Sequence, residues 1–124
     1  IFLECKSTNS GENVAFTRAL IEQEALSVKS AIAVQKPYME RRAYATIAKQ
    51  WEEVELQVTS PQLSFEEYCN EEIPNEKVIH IMVGDMQRIV EYPKRGFMIE
   101  QEVPEEVMTA WQLLVDAGYV DHVL

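Results

Sequence analysis

Hydrophobic residues along the chain fall into short and long blocks that alternate. Ile1-Phe2-Leu3-Glu4-Cys5 is a short apolar run that stops at Lys6-Ser7-Thr8-Asn9-Ser10-Gly11, a polar stretch with turn chemistry. Val14, Ala15, Ala19, Leu20 and Ile21 then recur at helical spacing. The pattern predicts a strand, a turn and a helix running from Asn9 or Ser10 to about Leu26. Asn9 and Ser10 carry oxygens that accept from the free N–H groups of a helix start, and Glu12 suits the positive end of the helix dipole.

A second cycle follows. Ser30-Ala31-Ile32-Ala33-Val34-Gln35 is small and β-branched without polar alternation, the pattern of a strand covered on both faces. Lys36-Pro37-Tyr38 turns the chain into a helix over about Met39 to Trp51, where Ala43, Ile47 and Trp51 recur at four-residue spacing. A third strand, Val54 to Val58, ends at Thr59-Ser60-Pro61-Gln62. Strands alternating with helices predict βαβ units and a parallel sheet.

Past Thr59 the pattern turns helical. Ser64-Phe65-Glu66-Glu67 is a capping box, Asn75 caps a longer helix to about Tyr92, and Pro104-Glu105-Glu106 opens a last one. Gly118 closes that helix, whose Val107, Met108, Trp111, Leu114 and Val115 face the core. Phe97 to Val103 alternates weakly, a lesser candidate for an edge strand. The expected class is α/β: part of a doubly wound parallel sheet over residues 1–62, then a helical segment, residues 63–124, packed on it. Three strands leave long open edges, and the apolar run Ile1-Phe2-Leu3 opens the chain in mid-sheet, so the expectation is a domain lacking its N-terminal half.

Charge narrows the function classes. Twenty-one acidic against 11 basic residues give a net charge of −10, which repels a polyanion and argues against nucleic acid. No apolar stretch is long enough to span a bilayer, so the expected protein is soluble, cytoplasmic and without a membrane partner. Cys5 and Cys69 match no C-x-x-C spacing and read as free, mostly buried thiols.

In open α/β sheets ligands bind beyond the carboxyl ends of the strands, and all three such loops carry donors, acceptors or cations. Ser7, Thr8, Asn9, Ser10 and Gly11 lead into a helix N-terminus that suits a phosphate or carboxylate, while plain N-capping accounts for Asn9 or Ser10 equally well. In the second loop Arg41 is placed to fork onto an anion and Tyr38 to stack on a flat ring, with an ordinary solvated helix start as the rival. Thr59-Ser60-Pro61-Gln62 offers hydroxyls and an amide, also common turn chemistry. Glu4 and Glu12 lie close enough in the chain to act as acid and base or as ligands of a hard cation. His80 falls with Gly84, Gln87 and Glu91 on the polar side of its helix and reads as a surface histidine. With two histidines and no paired cysteines, no transition-metal site is expected, and no nucleophile elbow, P-loop or G-x-G-x-x-G run occurs.

Several ordered blocks resemble one family. Leu3-Glu4 followed by Ser7-Thr8-Asn9-Ser10-Gly11-Glu12-Asn13 resembles the "LE, then S-x-N-T-x-E-N" signature of the ElyC/SanA/YdcF family, whose shared domain has no firmly assigned function. Gln35-Lys36-Pro37-Tyr38-Met39-Glu40-Arg41-Arg42-Ala43, Val58-Thr59-Ser60-Pro61 and Met82-Val83-Gly84-Asp85-Met86-Gln87-Arg88 are similar to its YdcF branch. The resemblance covers nearly the whole chain. It implies a Rossmann-like three-layer fold with a further strand–helix unit and a glycine-rich loop ahead of Leu3-Glu4. It also implies a pocket lined by Glu4, Asn9, Glu12, Asn13 and Arg41, with Thr59 nearby. Ser10 stands where the family has threonine, and Tyr38 where many members carry a histidine, which argues against histidine-based acid–base chemistry.

The function expected from these residues is binding of a small nucleotide-like ligand by Glu4, Ser7, Asn9, Glu12, Asn13, Tyr38, Arg41 and Thr59, with no reaction assigned. For the YdcF branch the resemblance implies S-adenosylmethionine as the cofactor. Other branches imply a role in envelope metabolism. The rival from another class is a non-catalytic interaction protein, a homodimer among its forms, that docks through the acidic helical half, where Met82, Met86 and Met108 give an adaptable surface or else core.

Overall fold

The computed structural model describes residues 1–124, ordered as α1 (Ser10–Gln23), β1 (Ser30–Val34), α2 (Glu40–Gln50), β2 (Glu55–Thr59), α3 (Phe65–Tyr68), α4 (Asn75–Glu91) and α5 (Glu105–Asp116). Single turns of 3-10 helix, Pro37–Met39 and Pro93–Arg95, lead into α2 and out of α4. The chain is mixed α/β with a parallel sheet, as the pattern predicts, but the sheet has two strands rather than three. β1 and β2 run side by side from Ser30 opposite Glu55 to Val34 opposite Thr59.

The missing strand is Ile1–Cys5, which stays outside the sheet with Leu3 80% exposed. An apolar run becomes a strand only where a neighbour supplies ladder partners. No backbone hydrogen bond joins residues 1–5 to β1. The expectation that β1 is covered on both faces also fails. Ala31 and Ala33 turn under the helices, whereas Ile32 and Val34 are 70% and 68% exposed. Cys5, expected buried, is exposed with its segment, and Cys69 is half-buried; both are free.

The core therefore lies between helices more than on the sheet. α2 is its centre, with Ala43, Ala45 and Thr46 buried between α1, β2 and α4. Val14 reaches it from α1, Val78, Val83 and Ile89 from α4, and Met98 from the chain beyond. Residues 97–103 form no strand: the Ile99 N–H donates to Ala45 O at 3.0 Å and lays the segment across α2. Their weak alternation reflects one-sided packing, Met98 inward and Phe97 outward.

Helix ends follow local chemistry. α1 stops at Gln23, short of Leu26, because Ala25 adopts φ 52° and the Leu26 N–H donates back to Ile21 O. A left-handed position favours glycine, so Ala25→Gly is expected to stabilise the fold by about 0.5–1 kcal/mol. Thermal unfolding checks this, and an unchanged or lower Tm contradicts it. Gly118 closes α5 in the same way at φ 96°, with Tyr119 N–H donating to Leu114 O. α4 is capped from Pro74, with Asn75 as its first helical residue.

The polar side of α4 is not a free surface. The C-terminal tail lies along it: Asp121 N–H donates to His80 Nδ1 at 3.2 Å, Arg88 to His122 O at 2.8 Å, and Leu124 N–H to Gln87 Oε1 at 2.6 Å. His80, expected at the surface, has a side chain 13% exposed and meets the Tyr119 ring edge-on at 5.1 Å. Helical periodicity places these residues correctly on one face; it carries no information about which distant segment covers that face.

Candidate functional site

The first loop is organised by its own carboxylates. Glu4 Oε1 accepts from the N–H groups of Lys6 (2.6 Å) and Ser7 (3.1 Å), and Glu4 Oε2 from the Ser7 hydroxyl at 2.6 Å. Ser7 Oγ also lies 2.7 Å from Asn13 Oδ1. The one Ser7 hydroxyl proton is thus placed between two acceptors, the Glu4 carboxylate and Asn13 Oδ1. Glu12 Oε2 accepts from both Thr8 N–H and Thr8 Oγ1 at 2.7 Å, and Asn9 Oδ1 caps Glu12 N–H at 2.9 Å.

These bonds hold both carboxyls below their usual range. The Ser7 hydroxyl and then the Lys6 N–H act on Glu4; the Thr8 hydroxyl and then its N–H act on Glu12. Both are carboxylates at neutral pH. Glu4 and Glu12 do approach closely enough for Glu4 to oppose the ionisation of Glu12. Each nonetheless spends acceptors on its own loop, so N-capping and loop closure account for much of the Ser7–Asn13 chemistry.

The first turn of α1 stands between two clefts. On the sheet side a mainly apolar cleft of about 230 Å³ separates α1 from β1, and Ser10, Asn13 and Thr17 face Val34 and Gln35 across it. On the other side a cleft of about 420 Å³ is bounded by Asn9, Gly11, Glu12, Arg42, Gln50 and Tyr92. Ser10 lines both. The two clefts offer an apolar slot for a ring, first-turn N–H groups that Asn9 leaves free, and a cation.

The second and third loops only partly join them. Tyr38 packs edge-on against Tyr68 at 5.6 Å, and its hydroxyl is pushed up to about 12 by burial first and by Tyr68 second, so it stays protonated. Arg41 points away from both clefts: its Nε donates to Gln101 Oε1 at 3.1 Å and its Nη2 to Glu102 O. Thr59 sits beside Val34 at the end of the ladder with an exposed side chain, and the Ser60 hydroxyl donates to Glu40. Of the expected residues, Glu4, Ser7, Asn9, Glu12 and Asn13 are therefore brought together, while Tyr38, Arg41 and Thr59 are held elsewhere.

Arg42 is the cation that reaches the cleft, and the residue reading passed over it. The signal was present: Arg42, Thr46 and Gln50 repeat every four residues, and all three line that wall.

Fold and site define a mixed α/β protein with a small parallel sheet and a polar helix start at its carboxyl edge. The chain is 40% identical over all 124 residues to the uncharacterized protein SCO4629 of Streptomyces coelicolor, and it spans 56% of that protein's length. No family model matches the chain, and no solved structure matches it. No helix is long and apolar enough to cross a membrane.

Proposed function

We propose that the chain is part of a Rossmann-like domain of the YdcF kind and binds a small nucleotide-like ligand, S-adenosylmethionine first among candidates, in the cytoplasm. The observation that carries this reading is the placement of Ser10 and Asn13 opposite Val34 and Gln35, where a helix start meets the carboxyl end of a parallel strand across an apolar cleft. That cleft, about 230 Å³, is smaller than a usual whole-ligand site. It takes a ring, and the rest of the ligand lies over Gly11 toward Arg42. Glu4 and Glu12, held as carboxylates, suit acceptance from ribose hydroxyls or a cationic ligand group rather than proton transfer.

Calorimetric titration of the chain and of SCO4629, side by side, with S-adenosylmethionine and plain nucleotides tests the reading. Heat of binding is expected, and Asn13→Ala weakens it about tenfold, or about 1.4 kcal/mol. No heat from any ligand with either protein ends the proposal.

A further inference from the structure

Three hydrogen bonds tie the C-terminal tail to α4, and each engages tail backbone rather than a tail side chain. The Asp121 N–H, the His122 C=O and the Leu124 N–H bind His80 Nδ1, Arg88 Nη1 and Gln87 Oε1 in turn. The absence of a side chain at Gly84 lets the His122 carbonyl rest directly on the helix. Of the tail's own side chains, Tyr119 and Val123 are half-buried, while Val120, Asp121, His122 and Leu124 are exposed. The tail leaves α5 through Gly118, whose left-handed φ of 96° makes a natural pivot. A segment held by so few buried contacts opens far more readily than the helices beneath it.

One of the three bonds depends on a proton. His80 Nδ1 accepts the Asp121 N–H at 3.2 Å only as the bare nitrogen of a neutral ring whose proton sits on Nε2. A second ring proton turns Nδ1 into a donor and sets two N–H groups against each other. The ring is largely buried beneath the tail, so water does not take over the lost bond while the tail stays down. Histidine is the side chain that makes this change of charge between about pH 5 and 8.

The surrounding charges do not restore the contact. The Asp121 carboxylate lies 3.7 Å from Nδ1 but is 74% exposed, so its attraction for a charged ring is heavily screened. Tyr119 meets the ring edge-on and is uncharged. On α4 itself Glu76 and Lys77 stand one turn before His80 with opposite charges. From α5 the neighbour is Trp111, which is uncharged and donates its Nε1–H to Val83 O. The tail's other titratable ring is His122, whose charged form Asp85 attracts and Arg88 repels.

We propose that residues 119–124 are a pH-sensitive latch on α4. The latch lies closed while His80 is neutral and swings out about Gly118 when that ring takes up a second proton, uncovering His80, Gly84 and Gln87. Its test involves no ligand, so it stands or falls apart from ligand binding.

Backbone ¹⁵N relaxation on the 124-residue chain provides that test. At pH 8 the order parameters of Asp121, His122 and Leu124 are expected near 0.85, the value of rigid backbone, and at pH 5 they fall below about 0.6 while α4 stays rigid. His80→Gln keeps an acceptor and removes the titration, so its tail is expected to stay ordered at both pH values. Asp121→Asn removes the weak compensating charge, and release then moves to higher pH. His122→Gln leaves the transition where it is in the parent. An equally ordered parent tail at pH 5 and pH 8 overturns the proposal. So does a tail in His80→Gln that is ordered at pH 8 and released at pH 5, or a transition that disappears with His122→Gln. Should His80→Gln fail to hold the tail at either pH, Asp121→Asn decides, and a release curve identical to that of the parent overturns the latch.

Discussion

Replacing Arg42 with methionine lowers stability by about 3 kcal/mol or more at pH 7, read as a fall of roughly 1.5 M in the urea midpoint. Arg42 comes from α2 and Asp85 from α4, and Arg42 Nη1 lies 2.5 Å from Asp85 Oδ1, with side chains 21% and 6% exposed. Arg42 Nε and Asp85 Oδ2 are buried without hydrogen-bond partners. The pair is thus only half satisfied, which makes it a weak source of stability intact and a costly one to break.

The dependence on pH separates this cause from lost packing. Burial raises the Asp85 pKa, and the Arg42 guanidinium is the main force pulling it back, with lesser help from Arg88 and His122. A carboxyl whose folded pKa lies above its unfolded value favours folding most below the unfolded pKa, and that contribution is lost as pH rises through the folded pKa. Removing Arg42 raises the folded pKa further. The deficit of the variant relative to the parent is therefore largest at neutral pH and shrinks as pH falls toward 4. A deficit of equal size at pH 7 and pH 4 contradicts the argument. Adding Asp85→Leu to Arg42→Met removes the stranded charge and recovers most of the loss.

Local chemistry was legible in the chain, and long-range assembly was not. Ser64 and Glu67 form the expected capping box, Asn9 caps α1, and Gly118 closes α5, since each depends on residues within a turn of one another. β1 and β2 are read correctly as parallel because a helix joins them. Ile1-Phe2-Leu3 has the composition of a strand, yet composition does not supply a neighbour, and the segment stays unpaired. The site follows the same rule. Glu4, Ser7, Asn9, Glu12 and Asn13 converge because ten residues of chain hold them in one loop and the first turn of α1, whereas Arg41 goes to Gln101, 60 positions away, for reasons no local pattern records. Adjacent arginines on a helix point about 100° apart, so the choice between Arg41 and Arg42 rests on what packs against α2.

Gly84→Ala is expected to destabilise the chain by about 2 kcal/mol, although alanine is the better helix former by about 1 kcal/mol. A Cβ at Gly84 collides with His122 O and comes within 2.7 Å of the His122 carbonyl carbon. Because the obstacle is backbone, no side-chain rotation relieves it, and the tail must lift from α4. With it go the bonds of Asp121 to His80, His122 to Arg88 and Leu124 to Gln87, and the contact of Tyr119 with His80. Hydrogen exchange over residues 119–124 rises in the variant as the tail is released. The decisive comparison is a chain shortened to end at Tyr119, which removes the His122 backbone that the new methyl group meets. There the same substitution changes sign and stabilises by up to about 1 kcal/mol, the bare helix-propensity difference. If Gly84→Ala destabilises both chains equally, the tail is not what requires glycine at this position.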